Sequence, residues 1–160
     1  KEKYPENIGE FKTPLGIPEI VQEGQDLTIV SYGSTFNICQ MASQHLSQLG
    51  ISVELVDIQT LIPFDLNHII SNSIKKTNRL LIVDEDVSSG ATGYILDKIM
   101  VEQECFYHLD AAPHTMSSKD HRPAYGSDGD YFSKPNIDDI VEKVYAIMSE
   151  SDPTSYPALY

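Results

Sequence analysis

Residues 80–83 read Leu-Leu-Ile-Val, apolar at every position, and run straight into Asp84-Glu85-Asp86. Side chains alternate between the two faces of a strand, so a run with no polar residue is stable only when both faces are buried. Such a strand belongs in a sheet with helices on either side. The neighbouring sequence supplies both. Residues 27–32 and 52–58 are further compact β-rich runs. Between them lie Cys39, Ala42, Leu46 and Leu49 at helical spacing, with Gly50 placed to stop that helix. Asp65 can cap a helix carrying Leu66, Ile69, Ile70 and Ile74, with Lys75 and Lys76 at its C-terminal end. Residues 92–106 predict a helix with Ile95, Leu96, Ile99 and Met100 as its apolar stripe, and 107–112 a weaker strand. After a long polar loop over 116–135 comes the best-marked helix. Asn136 is its N-cap, Asp138 and Asp139 sit in the first turn, and Ile137, Ile140, Val141, Val144, Ile147 and Met148 supply its buried face. Strands alternating with helices predict an α/β fold, a three-layer α/β/α domain with a mostly parallel sheet.

The chain has 160 residues, enough for one substantial core. Residues 1–18, with Pro5, Pro14 and Pro18, read as a linker from a preceding domain, 19–149 as the domain, and 150–160 as a polar, frayed tail. The first residue is Lys1, with no charged-then-apolar leader after it, and no apolar run approaches the ~18 residues a membrane span needs. The expectation is a domain cut from a longer chain, with no membrane partner. Cys39 and Cys105 form neither a CxxC pair nor a zinc-type spacing, and read as reduced core thiols of a cytoplasmic protein. With 24 acids against 11 bases the net charge is −13, which repels nucleic acid and favours a basic protein partner.

Ligands of doubly wound folds sit at the C-terminal ends of the strands. The first such end here is Ser31-Tyr32-Gly33-Ser34-Thr35, whose hydroxyls and helix start could hold an anion. Neither GxGxxG nor GxxxxGK[ST] is present, so a turn before a helix accounts for it. Asp84, Glu85 and Asp86 could hold magnesium, but three clustered acids repel one another and call instead for solvent or a basic partner. A phosphoacceptor receiver domain would need an acidic pair after the first strand of the alternation, where Ser31 and Tyr32 stand. Gly90-Ala91-Thr92-Gly93 is half of a phosphate loop and can equally let a helix start close to a strand. Among five histidines, His121 with Arg122 in the long loop is the most suggestive functional pair. No nucleophile with a base at a telling spacing is present. The expected catalytic, cofactor-binding and metal sites within the domain are therefore none.

Residues 56–65, Val-Asp-Ile-Gln-Thr-Leu-Ile-Pro-Phe-Asp, followed by 80–86 with Gly90 and Gly93, carry a resemblance. With Pro14-Leu15-Gly16 before them and 135–141 after, they resemble the C-terminal domain of the β subunit of thiamine diphosphate-dependent 2-oxoacid dehydrogenases. Those are the pyruvate and branched-chain 2-oxoisovalerate types, as separate β subunits or as α–β fusions. More distantly the chain is similar to the last domain of transketolases. The resemblance runs from about residue 14 to residue 148. It implies a mixed five-stranded sheet with 19–22 antiparallel at one edge. It also implies a parent enzyme that decarboxylates a 2-oxoacid on thiamine diphosphate with magnesium and passes the acyl group to a lipoyl-bearing acyltransferase. In that family the cofactor ligands and catalytic histidines lie in preceding domains, so this domain is implied to be noncatalytic. What it would supply is contact with other domains or subunits, including a homodimer contact, and docking of the acyltransferase's basic subunit-binding domain. Asp110 matches an acid that takes part in docking at the end of the fourth strand, and Asp84, Glu85 and Asp86 are further candidates. Two departures stand out: Gln59, where β subunits commonly carry Arg, and a longer, more polar loop over 121–134. The competing expectations are a transketolase end domain, or a free-standing phosphate- or nucleotide-binding domain using 31–35 and 90–93.

Overall fold

The computed structural model describes residues 3–4, 6–122, 125–126 and 128–158. Five strands form one sheet in the order β1-β3-β2-β4-β5: β1 is Glu19–Gln22, β2 Leu27–Ser31, β3 Val53–Asp57, β4 Leu80–Val83 and β5 His114–Met116. Strand β1 runs antiparallel to β3 at one edge, and all other pairings are parallel. Helices α1 (Gly33–Gln48), α2 (Ile69–Thr77), α3 (Ala91–Asp97), α4 (Gly129–Ser133) and α5 (Ile137–Ser151) complete the fold.

Alternation along the three central strands divides the core in two. Leu27, Ile29, Val53, Leu55, Leu81 and Val83 face α1 and α5, where Phe36, Leu46, Ile140 and Val144 meet them. Val30, Val56, Leu80 and Ile82 face α2 and α3, against Ile70, Ile74, Ile95 and Ile99. Two buried apolar layers around one sheet explain why 80–83 contains no polar residue. Gly50, at φ +77°, ends α1 in the left-handed region expected for it. Asn136 accepts a hydrogen bond from the Asp139 amide at 2.9 Å, and the Asp139 carboxylate returns one to the Asn136 amide, so α5 starts in a full capping box.

Four expectations change. The helix over 92–106 stops at Asp97, passes through a π-helical turn over Lys98–Glu102 and resumes as a 3-10 turn over Cys105–His108. The Gln103 amide bonds back to the Lys98 carbonyl, and Glu104 takes a left-handed φ of 54°. The fifth strand is His114–Met116 rather than 107–112; the earlier segment only leads into it, tied by the Asp110 amide to the Asn78 carbonyl at 3.0 Å. Leu66 lies outside α2 and is exposed, although Asp65 does cap that helix, its carboxylate accepting from the Ile69 and Ile70 amides. Between Ser149 and Pro157 the chain is docked rather than frayed. Helix α5 reaches Ser151, Tyr156 packs edge-on against Tyr145, and the Tyr145 hydroxyl donates to the Pro157 carbonyl.

Candidate docking sites at the two ends of the sheet

At the C-terminal ends of β2 and β4 the polar groups serve one another. The Ser31 hydroxyl donates to the Val83 carbonyl at 2.8 Å, tying the two strand ends together. Asp84 is buried, accepting from the Tyr32 hydroxyl at 2.9 Å and from the Glu85 amide at 2.8 Å. Burial, reinforced by the hydrogen bond to Asp84, pushes the Tyr32 phenol well above its ordinary value, so Tyr32 stays a donor. Glu85 is exposed and turns the other way, accepting from the Lys134 ammonium at 3.0 Å and the Ser34 hydroxyl at 2.9 Å. These two contacts hold its carboxyl below the usual range. Asp86 caps its own turn through the Val87 amide. The three neighbouring acids therefore diverge, and among the described residues no group of three or more His, Cys, Asp or Glu side chains converges on a metal-sized point.

The anion reading of 31–35 fares no better. Glu85, bonded to Ser34 in the first turn of α1, already places a carboxylate where a phosphate would go. At Gly90 a side chain would press on the Val87 carbonyl and the Asp86 carboxylate, so this glycine serves a tight turn between acids.

Asp110 lies at the opposite end of the sheet, in the loop before β5 and beside the residue that precedes β4. This corrects its expected place at the end of a strand over 107–112: the strand that forms is β5, and Asp110 lies before its start, level with the start of β4. Its carboxylate accepts from the Arg79 guanidinium at 2.7 Å, and its side chain keeps 45% of its surface. Arg79 is held in turn by the Asp26 carbonyl and the Ser151 hydroxyl, so Asp110 is aimed by a rigid partner. Asp110 and the acids at 84–86 thus belong to two surfaces.

His121 and Arg122 are exposed in the long loop. The His121 Nδ1 lies 3.0 Å from the Arg122 carbonyl, and the Arg122 guanidinium stacks on the Tyr125 ring, 4.8 Å from its centre. The same loop reaches the acidic turn through Ser118, whose amide donates to the Asp86 carbonyl at 3.0 Å, and through Lys134. Gln59 donates from its side-chain amide to the Glu19 carboxylate on β1 at 2.8 Å.

A buried charge on β3 escaped the sequence reading. The Glu54 side chain is fully buried on the α2 face and pairs with the Lys76 ammonium, which also meets Glu23. The Gly24 amide donates to the same Glu54 oxygen at 3.2 Å, while the other oxygen has no partner. The only signal was an acid inside an otherwise apolar strand pattern. Cys39 and Cys105 are buried free thiols, and burial pushes the Cys39 thiol up to about 12, which makes it inert.

With this sheet order and these ends, comparison gives the class. The family described as "Transketolase, C-terminal domain" matches residues 16–138, and the chain belongs to it. Among individual proteins, it is similar to the pyruvate dehydrogenase E1 component subunit beta of Rhizobium meliloti, 33% identical over 141 residues, 88% of this chain and 30% of that one. It is also similar to the mitochondrial 2-oxoisovalerate dehydrogenase subunit beta 2 of Arabidopsis thaliana, 38% identical over 110 residues, 69% of this chain and 30% of that one. The chain therefore spans under a third of the length of these two relatives. A split-gene transketolase, solved as an inactive β4 tetramer, shares the fold with a TM-score of 0.71 at 21% identity, over 88% of this chain and 44% of that one.

Proposed function

We propose that this chain is the C-terminal assembly and docking domain of the decarboxylating component of a 2-oxoacid dehydrogenase. The parent enzyme would oxidatively decarboxylate a 2-oxoacid and hand the acyl group to a lipoyl-bearing acyltransferase. The observation that carries the reading is the match to E1 beta subunits of both pyruvate and branched-chain type, at 33% and 38% identity, across most of the ordered domain.

Thiamine diphosphate and magnesium would belong to other domains of the parent. The residues here do not fit a diphosphate, because the Glu85 carboxylate occupies the α1 start and Asp84 is buried behind it. No step of the reaction is therefore assigned to these side chains. Their role is contact, with neighbouring domains or subunits, with a second copy in a dimer, and with the basic subunit-binding domain of the acyltransferase. Asp110 is the candidate for the last of these, since its carboxylate is half open and held in place by Arg79. Two buried free thiols suit a reducing compartment, and we place the protein in the cytoplasm.

Calorimetric titration with that subunit-binding domain at low and high salt tests the reading. Micromolar or tighter binding that weakens with salt and is lost in Asp110→Asn is the expected result. Silence at both salts from a folded protein would overturn it.

A further inference from the structure

Helix α4, inside the long loop, walls a cleft of about 450 Å³ with α1 and the start of α5. Its apolar lining is Ile38, Pro135 and Ile137. Its rim carries three carboxylates, Glu85, Asp130 and Asp138, against the Lys134 ammonium and the His45 imidazole. Tyr131, 53% exposed, stands at the rim with its hydroxyl donating to Asp138 at 2.8 Å, and Phe132 beside it is 60% exposed. An apolar floor with a surplus of acid around it is matched by a side chain that is apolar along its length and cationic at its tip.

We propose that this cleft docks a basic amphipathic segment of a partner protein, a helix or loop presenting lysine or arginine beside aliphatic residues. The floor takes the aliphatic groups, and Asp130 and Asp138 receive the cationic ends. Lys134 cannot neutralise the rim, because its ammonium is shared between Glu85 at 3.0 Å and Asp130 at 3.6 Å. A second copy of this chain is a poor occupant of this acid-rimmed cleft, because with 24 acids against 11 bases it has few basic segments to offer it. The site is separate from Asp110, which lies at the other end of the sheet, and does not depend on what docks there. It also gives the long loop a purpose: α4 holds Tyr131 and Asp130 over the seam between α1 and α5.

The test uses two synthetic helical peptides of equal length and equal lysine count. One carries leucines along one face and the other carries serines there. Each is titrated into the whole chain while the methyl signals of Ile38 and Ile137 are followed by NMR. The leucine peptide should bind at least about tenfold tighter, because burying one or two leucines is worth that much. It should move the Ile38 and Ile137 signals, and lose about fivefold in affinity in the Asp130→Asn/Asp138→Asn variant. Both substitutions are on exposed side chains, and an unchanged thermal melt verifies the fold. Asp110→Asn should bind like the wild type. Equal affinity for the two peptides, shifts confined to the Arg79–Asp110 end, or no binding of either peptide would each overturn the proposal.

Discussion

Glu54 shows how one residue can decide more than its neighbours suggest. In a strand that is otherwise Val53, Leu55 and Val56, it places a carboxylate on the α2 face with no exposed surface. Lys76 lies on a helix end where the sequence suggested only a dipole contact; its true partner was invisible because a contact between a helix and the strand it covers is set by tertiary packing, not by local spacing. Burial alone would lower the Lys76 ammonium, but its hydrogen bonds to Glu23 and Glu54 outweigh burial and raise it. Its folded value therefore lies above its unfolded value, so the stabilisation is complete below the ordinary lysine range near about 10.4 and is lost as pH climbs through the raised value. Lys76→Met should destabilise by about 3 kcal/mol in urea unfolding at neutral pH, because it strands a buried carboxylate, and Glu54→Gln/Lys76→Met should recover part of that loss. Equal stability of the single and double variants would refute the pairing. Gly24 is tied to the same place. A side chain there would overlap the backbone of Val53 and Glu54, so Gly24→Ala should cost about 2 kcal/mol or more by the same assay.

Elements were legible where periodicity and caps agreed. Helix α5 was read almost to the residue, because Asn136, Asp138, Asp139 and the apolar stripe all name the same start. Asn136→Ala should lower stability by about 1 kcal/mol, seen as a shifted urea midpoint with an unchanged slope. A shift within error would mean the capping box is idle. The region after Gly90 was read less well for a local reason. Its apolar spacing fits one helix, but the side chain of Gln103 reaches Asp65 at 3.0 Å and Cys105 is drawn into the α2–α3 layer. Those tertiary contacts favour a widened turn and a break that no propensity signals. Strand β5 was misplaced because Leu109, Ala111 and Ala112 are more apolar than the residues that pair, and register with β4 selects His114 opposite Leu81. His114 is half buried, and desolvation followed by the nearby Lys143 lowers its imidazole. The unfolded chain therefore binds a proton at a higher pH than the folded one, so His114 opposes folding as pH falls below its unfolded range near about 6.5. An NMR titration should show the His114 imidazole protonating below the ordinary histidine range near about 6.5, and a value at or above that range would refute its desolvation.

At the scale of the whole molecule the charge balance governs both stability and recognition. Among the described residues the ion pairs engage Lys76, Arg79, Lys98 and Lys134, while the chain carries 24 acids against 11 bases. Acids therefore outnumber bases by more than two to one, and their mutual repulsion opposes the compact state. Exposed ion pairs weaken with salt, but so does this repulsion, and with such an excess of acid the repulsion is the larger effect. Raising sodium chloride from about 10 mM to about 150 mM shortens the Debye length from about 30 Å to about 8 Å, enough to separate most surface acids from one another. The melting temperature should then rise, by about 3 °C for a loss of repulsion near 1 kcal/mol in a domain of this size. The same screening should weaken any basic partner, at Asp110 or in the cleft beside α4, because the attraction drawing that partner in arises from the same excess of acid. Stability and affinity are therefore expected to move in opposite directions with salt. Thermal melts and titrations run across one salt series would test this directly. A melting temperature that falls with salt would show that ion pairs dominate the surface and remove the electrostatic case for a basic partner.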